Sequence, residues 1–252
     1  FGEIEQVLYV KGSGWDLQSI AAGGFAPVKL PHLQALAELQ SLSDTDMMRE
    51  LRLALLDPGA PTPSVEAILH ALVPLRYVDH THADAVVAIS NSPNGESALQ
   101  DVDWSRLRAI VLLHHGIITF DDDCKTSYEN MIELVSKVED YLRRQGVWEQ
   151  SAAAQYTPSV EEFQKIAQLR QQAARLLGRP LLLRWNFDEE AVGFAALSNV
   201  EQIATRGPLT PDHSIHTKPF SALFDADPST GLEQFGERYQ SYFDRHAADF
   251  HT

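Results

Sequence analysis

Two histidine runs, each closing an apolar, β-compatible stretch, constrain this chain more than any other feature. Asp79-His80-Thr81-His82-Ala83-Asp84 follows Leu72, Val73, Leu75, Tyr77 and Val78, and His114-His115-Gly116 follows Ala109-Ile110-Val111-Leu112-Leu113. If the first strand runs on through its histidines, alternation puts His80 and His82 on one face and Thr81 on the other. The second stretch reads as a fully buried strand. Two strands ending in imidazoles on one rigid sheet edge can bring three nitrogens together. Catalytic zinc and similar ions use that ligand count, keeping a further position open for water or substrate. Either run alone is common at polar strand ends; the two together point to a metal site.

At 252 residues the chain can form one large α/β domain or two small ones. Its net charge of −15 argues against nucleic acid or an anionic membrane surface as partner. No apolar run reaches the length of a membrane span, and no signal peptide is visible at the start. Cys124 is the single cysteine, which excludes an intramolecular disulfide and fits a reducing cytoplasm, the expected location. As a nucleophile Cys124 has no obvious neighbour to lower its pKa. The chain opens on Phe1, just ahead of a strand over Val7–Val10, so an N-terminal piece is expected to be missing.

Along the chain, Lys11-Gly12-Ser13-Gly14 can expose backbone N–H groups to an anion or form an ordinary turn. Residues 43–55 read as a helix capped by Ser43 or Asp44. Ser64-Val65-Glu66 opens a short helix whose Ile68, Leu69 and Leu72 would face the core. Glu66 is either a first-turn surface carboxylate or a general base near the metal. Ala83 to Ser90 looks helical, residues 91–96 read as a surface loop, and Asp121-Asp122-Asp123 as a solvated turn. Thr126-Ser127-Tyr128-Glu129 has the form of a capping box opening a long helix. A second long helix starts at Thr157-Pro158 and stops at Gly178-Arg179-Pro180. Leu181 to Trp185 reads as a strand or buried segment. A rigid turn at Gly207–His213 presents Asp212 and His213, outer-shell or substrate groups if near a metal, and a packing helix carries Tyr239, Tyr242 and Phe243.

These residues carry a resemblance. Lys-Gly-Ser-Gly-Trp-Asp-Leu at 11–17, Pro-Ser-Val-Glu at 63–66, Val-Asp-His-Thr-His-Ala-Asp at 78–84, His-His-Gly-Ile-Ile-Thr-Phe at 114–120, the Ser-Tyr-Glu helix from 127 and Gly-Pro-Leu-Thr-Pro-Asp-His at 207–213 resemble the class II aldolase/adducin family. The branch most similar is the aldolase part of bifunctional rhamnulose-phosphate aldolase/dehydrogenase chains. The resemblance implies an α/β fold, a three-layer α/β/α arrangement with a central, mostly antiparallel sheet. It implies one domain over 1–252 with a C-terminal extension from about residue 181, and a homotetramer.

By the same resemblance His80, His82 and His115 correspond to ligands of Zn2+ or another divalent transition metal, Glu66 to the catalytic carboxylate, and Ser13, Gly14 and Ser64 to phosphate-binding positions. His114 would be an outer-shell neighbour. The implied reaction is lyase cleavage of a small ketose phosphate into a dihydroxyacetone-phosphate-like product and an aldehyde. A non-catalytic adducin-like interaction module and a sugar-phosphate epimerase or dehydratase are the alternatives. The family's upstream Gly-Asn-x-Ser loop has no counterpart, and the link between the histidine motifs is short. Either part of the site is lost, or flexible segments are missing from the sequence at both gaps, the later of them at 97–104. The second explanation is preferred because both gaps fall where a substrate-gating loop would lie.

Overall fold

The structure is a computed structural model describing residues 4–102, 108–147, 156–210, 213, 216–224 and 228–247. Its contacts divide the chain into two compact units. The first comprises Phe1–Thr81, Ser105–Val111 and Ile117–Glu133; the second comprises His82–Trp104, Leu112–Gly116 and Leu134–Thr252.

In the first unit β1 (Val7–Lys11) pairs antiparallel with β2 (Phe25–Lys29), Val10 opposite Ala26 and Leu8 opposite Val28. Val10, Ala26 and Val28 are buried while Tyr9 is exposed, the two-residue period of a half-buried ribbon. Three helices complete this core: α1 (Leu30–Leu36) with Leu33, α2 (Asp44–Leu53) with Leu51, and α3 (Ala67–Leu72) with Ala67 and Ala71. Ser43 caps α2 by accepting from the Asp46 N–H. On α3 the small residues face inward and Leu72 is more than half exposed, contrary to the expectation that Leu72 packs in the core. Alanines let the helix axis approach the ribbon closely.

β3 (Tyr77–Thr81), β4 (Ala109–Leu112) and β5 (Gly116–Asp121) form a second sheet in the order β3-β5-β4. β3 and β5 are antiparallel, with Asp79 opposite Thr119 and His80 opposite Ile118. The central strand is the buried one: Ile117, Ile118 and Thr119 are fully enclosed. β4 lies at the edge of this sheet and Ile110 is 41% exposed, which corrects the reading of 109–113 as a fully buried strand. Helices and antiparallel strands are mixed along the chain, as the expected α/β class requires, and the described strands form two sheets.

The long helix α6 (Cys124–Arg144) begins before the expected Thr126 box. Asp123 caps it, its carboxylate accepting from the Thr126 N–H at 2.8 Å and the Thr126 hydroxyl at 2.9 Å. Those bonds hold the Asp123 carboxyl below the usual carboxylate range. Met131, Leu134, Val138 and Leu142 form the buried stripe of α6.

In the second unit α4 (Asp84–Ser90) buries Ala85, Val86, Val87 and Ile89. The expected 91–96 loop is shorter than its sequence suggests, because α5 (Gly95–Gln100) already starts at Gly95. A Cβ at Gly95 would lie 2.3 Å from the Ile89 carbonyl oxygen and 2.8 Å from that of Ser90. Backbone cannot yield as a flexible side chain does, so Gly95→Ala is expected to destabilise this unit by about 1–3 kcal/mol, read by urea unfolding. Residues 97–102 run on as helix and C-terminal turn, with Asp101 and Val102 N–H groups bonded to Ala98 and Leu99. That continuity counts against a break there; 103 and 104 lie outside the described residues.

α7 (Val160–Leu176), α8 (Glu189–Ala195), α9 (Val200–Ala204) and α10 (Pro228–Ala247) follow, with α7 packed on α10. The 181–185 segment is neither strand nor buried: Leu182 is fully exposed, and Trp185 makes edge-on contacts with Phe163 and Phe187. A capping box between Ser159 and Glu162 starts α7, and Tyr156 adds its hydroxyl to the Glu162 carboxylate. Led by the Tyr156 bond, these donors lower the Glu162 carboxyl from 4.5 to about 2. A depressed carboxyl favours the folded form above its unfolded value. The α7 start is therefore held above pH 4.5 and released as pH falls towards about 2. A carboxyl 13C NMR titration checks this, with a midpoint near 2 that rises in Ser159→Ala.

Candidate metal centre

β3 delivers the first histidine. Its alternation sends Asp79 and His80 to opposite faces, and each is tied down. On one face the buried Ser127 hydroxyl donates to Asp79 Oδ2 at 2.5 Å, and the buried Thr119 hydroxyl donates to the Ser127 carbonyl at 2.9 Å. On the other, His80 Nδ1 lies 3.0 Å from the Ile117 carbonyl oxygen. A carbonyl only accepts, so Nδ1 carries a proton and Nε2 is the nitrogen that can serve as a metal ligand. That nitrogen lies 3.0 Å from Glu66 Oε1, with the His80 side chain 6% exposed and Glu66 21%.

Glu66 sits at the N-cap position of α3. Its N–H donates to Ser64 Oγ at 3.3 Å and the Ser64 hydroxyl reaches its Oε2 at 3.4 Å. One carboxylate oxygen thus faces His80 and the other faces Ser64.

His82 lies just beyond the end of β3, and His115 lies in the turn between β4 and β5, next to Gly116. Their Nε2 atoms are 3.2 Å apart, the rings edge-on with centroids 4.6 Å apart. His114 takes the left-handed conformation, φ 62°, unusual for a residue with a Cβ. Its N–H donates to Ser90 Oγ at 3.2 Å and its Nδ1 lies 2.9 Å from Asn91 Oδ1. That twist separates two adjacent histidines: His115 stands against His82, and His114 bonds α4 and its C-terminal end.

Glu66, His80, His82 and His115 each offer a ligand atom, and these atoms all lie within 4.8 Å of one another. Arms of 2.0–2.1 Å in a tetrahedron give ligand–ligand edges of about 3.3–3.4 Å. The 3.2 Å His82–His115 edge and the 3.0 Å Glu66–His80 edge fit that size. Three imidazoles and a carboxylate suit a first-row divalent ion, and the Ile117 carbonyl behind His80 is the outer partner a ligating imidazole needs. The residues present fit a metal.

His70 is a neighbour the sequence reading passed over. It lies one helical turn after Glu66, with its ring edge-on to His80 at 6.3 Å. Burial foremost, then the nearby His80, pushes its pKa below the ordinary imidazole value. The Glu66–His70 spacing of four on a helix was the available signal.

The proposed phosphate positions also come together. The Ser13 N–H donates to the Thr62 carbonyl at 2.9 Å, the Ser64 N–H to the Lys11 carbonyl at 3.2 Å, and Gly12 bridges to Pro63. Gly14 has φ 79°, and a Cβ on Gly12 would meet Pro61 at 2.7 Å, so both glycines are required by the backbone. The Gly12 N–H is taken by the Gly24 carbonyl at 2.8 Å. Two amides that could have cradled an anion are therefore spent on the fold. His213 Nδ1 lies 2.6 Å from the Thr210 hydroxyl, on a cavity wall described below. Asp212 lies outside the described residues.

Comparison with known proteins completes the picture. Residues 161–252 match the family model described as aldolase class II, second domain. A solved structure, the N-terminal class II aldolase domain of a conserved protein from Thermoplasma acidophilum, shares 30% identity with a TM-score of 0.51; the match covers 54% of this chain and 75% of that one. A curated relative from Bacillus subtilis (strain 168), named uncharacterized oxidoreductase YuxG, is 27% identical over 290 residues, covering 98% of this chain. The chain spans 42% of that relative's length. The 290-residue match exceeds the 252 residues here, so the relative carries segments with no counterpart in this chain. With an aldolase-domain model at one end and an aldolase-domain structure 30% identical to it, the chain belongs to the class II aldolase family.

Proposed function

We propose that the chain is a metal-dependent aldolase, cleaving a small ketose phosphate into a dihydroxyacetone-phosphate-like product and an aldehyde. The observation that carries this reading is the Glu66–His80–His82–His115 group. When bound there, a divalent ion such as Zn2+ supplies Lewis-acid stabilisation for negative charge on a carbonyl oxygen. The His80, His82 and His115 imidazoles would hold it, with Glu66 beside it.

Carbon–carbon cleavage needs a proton taken from the hydroxyl beside the breaking bond. That C–O becomes the aldehyde carbonyl, the bond's electron pair stays with the ketone fragment, and a proton later goes to the fragment's carbon. Glu66 would carry these protons. Ser64 reaches its Oε2 and orients the carboxylate. The Ser13 and Ser64 hydroxyls and the Gly14 turn would receive the phosphate, with Lys11 near at hand.

The resemblance to bifunctional chains supports aldol chemistry for this part; the oxidoreductase in the relative's name belongs to a protein of which 42% is matched. No helix among the described residues is long and apolar enough to cross a membrane. A soluble sugar phosphate as substrate and a homotetrameric, cytoplasmic enzyme complete the proposal. The test is a panel of ketose phosphates given to metal-loaded protein, assayed for aldehyde release and for isomer formation. Aldehyde release is expected. Isomer without aldehyde contradicts the lyase in favour of an epimerase, and no turnover with any member contradicts the proposal.

A further inference from the structure

The second unit holds a cavity of about 630 Å³ that the aldolase chemistry does not use. It is walled by Phe194, Ile203, Leu209, Phe220 and Phe235, with Asp84, His213, Thr217 and Lys218 as polar groups. A mostly apolar cavity of this size with a few convergent polar groups is the usual form of a small-molecule site.

Its polar groups are held in place. Thr210 is buried, and its hydroxyl lies 2.6 Å from His213 Nδ1, fixing the ring and leaving Nε2 as the nitrogen it does not engage. Gly207, at φ 110°, makes the turn that leads into Thr210. The Lys218 ammonium donates to the Tyr239 hydroxyl at 2.9 Å and lies 4.6 Å above that ring. An ammonium has three donors, so this bond leaves it capacity for an anion. Arg238 in turn stacks on Phe220 at 4.1 Å, which fixes one of the apolar walls.

We propose that this cavity binds a small anion carried on an apolar body, its charged head at Lys218 and His213 and its body against Ile203, Leu209 and Phe220. Asp84 is an acceptor only and takes a hydroxyl on the ligand. Asp84 stands two residues after His82, so the ligand lies one short step along the chain from a residue of the metal group. A polyhydroxylated sugar would leave its hydroxyls unpaired on these apolar walls, a costly burial. The site is therefore separate in chemistry from the one that takes a ketose phosphate.

The test uses the full chain with its Ile203 methyl group followed by NMR. 2-Hydroxyisocaproate and phenyl phosphate supply the two possible heads, carboxylate and phosphate; 4-methyl-2-pentanol is the neutral control. A saturable Ile203 shift with either anion, absent with the alcohol, is expected, and the stronger of the two identifies the head. Lys218→Met should weaken binding about tenfold, as loss of one charge-assisted hydrogen bond does. His213→Gln serves as the second variant, with circular dichroism confirming that each is folded. No saturable shift with either anion, an equal shift with the alcohol, or undiminished binding in both folded variants overturns the proposal. Divalent-metal content, measured alongside, is expected to be unchanged in both variants. A failed lyase assay therefore leaves this result standing, and the reverse holds too.

Discussion

His82→Ala is expected to lose stoichiometric binding of a divalent ion, and turnover with it, while the fold stays intact. The His82 and His115 Nε2 atoms are 3.2 Å apart, so the variant removes one end of that imidazole edge. Loss of an outer hydrogen-bond partner costs about 10–100-fold in metal affinity, so loss of a ligand itself should exceed about 100-fold. His82 lies past the last hydrogen-bonded residue of β3 and is part-exposed, so its truncation costs little stability. Metal analysis after dialysis, beside a thermal melt, checks both halves. One retained equivalent of metal contradicts the assignment.

Glu66→Gln has the second large effect. The variant preserves the shape of the side chain and the contact to Ser64 but cannot carry a proton. Positioned acid–base groups contribute about 10²–10⁴-fold, so kcat should fall by that factor, with KM changing far less. Three imidazoles remain to hold the ion. Metal content near the wild-type level with collapsed turnover is the expected pair of results. Full activity in Glu66→Gln would assign the proton to another group.

Much of the site was legible because it is local. The period of two in a strand places His80 and Asp79 on opposite faces whatever surrounds them, and Gly116 marks the turn that presents His115. What decided the rest was long-range. The separation of His114 from His115 depends on a left-handed residue braced by Ser90 and Asn91, more than twenty residues away. The Gly12 and Ser13 amides looked ready for an anion, yet the Gly24 and Thr62 carbonyls take them.

Ser127 shows the same limit. In sequence it lies inside the Thr126–Glu129 capping box, while in the fold it is buried and bonded to Asp79, and Asp123 caps the helix instead of Thr126. β4 was misread for a related reason: Ile and Val runs mark a central strand or an edge strand equally well, and only the order β3-β5-β4 decides. The fold class survived these errors because the helix periods of α2 and α6 were strong, whatever their neighbours.

The central claim is that His80, His82 and His115 hold one ion beside Glu66. Anomalous scattering from crystals of the metal-loaded protein, collected on both sides of the zinc absorption edge, tests it directly. The account predicts a single strong peak about 2.0–2.1 Å from a nitrogen of each of the three imidazoles. A peak elsewhere on the chain, or three imidazoles turned away from any ion, contradicts it.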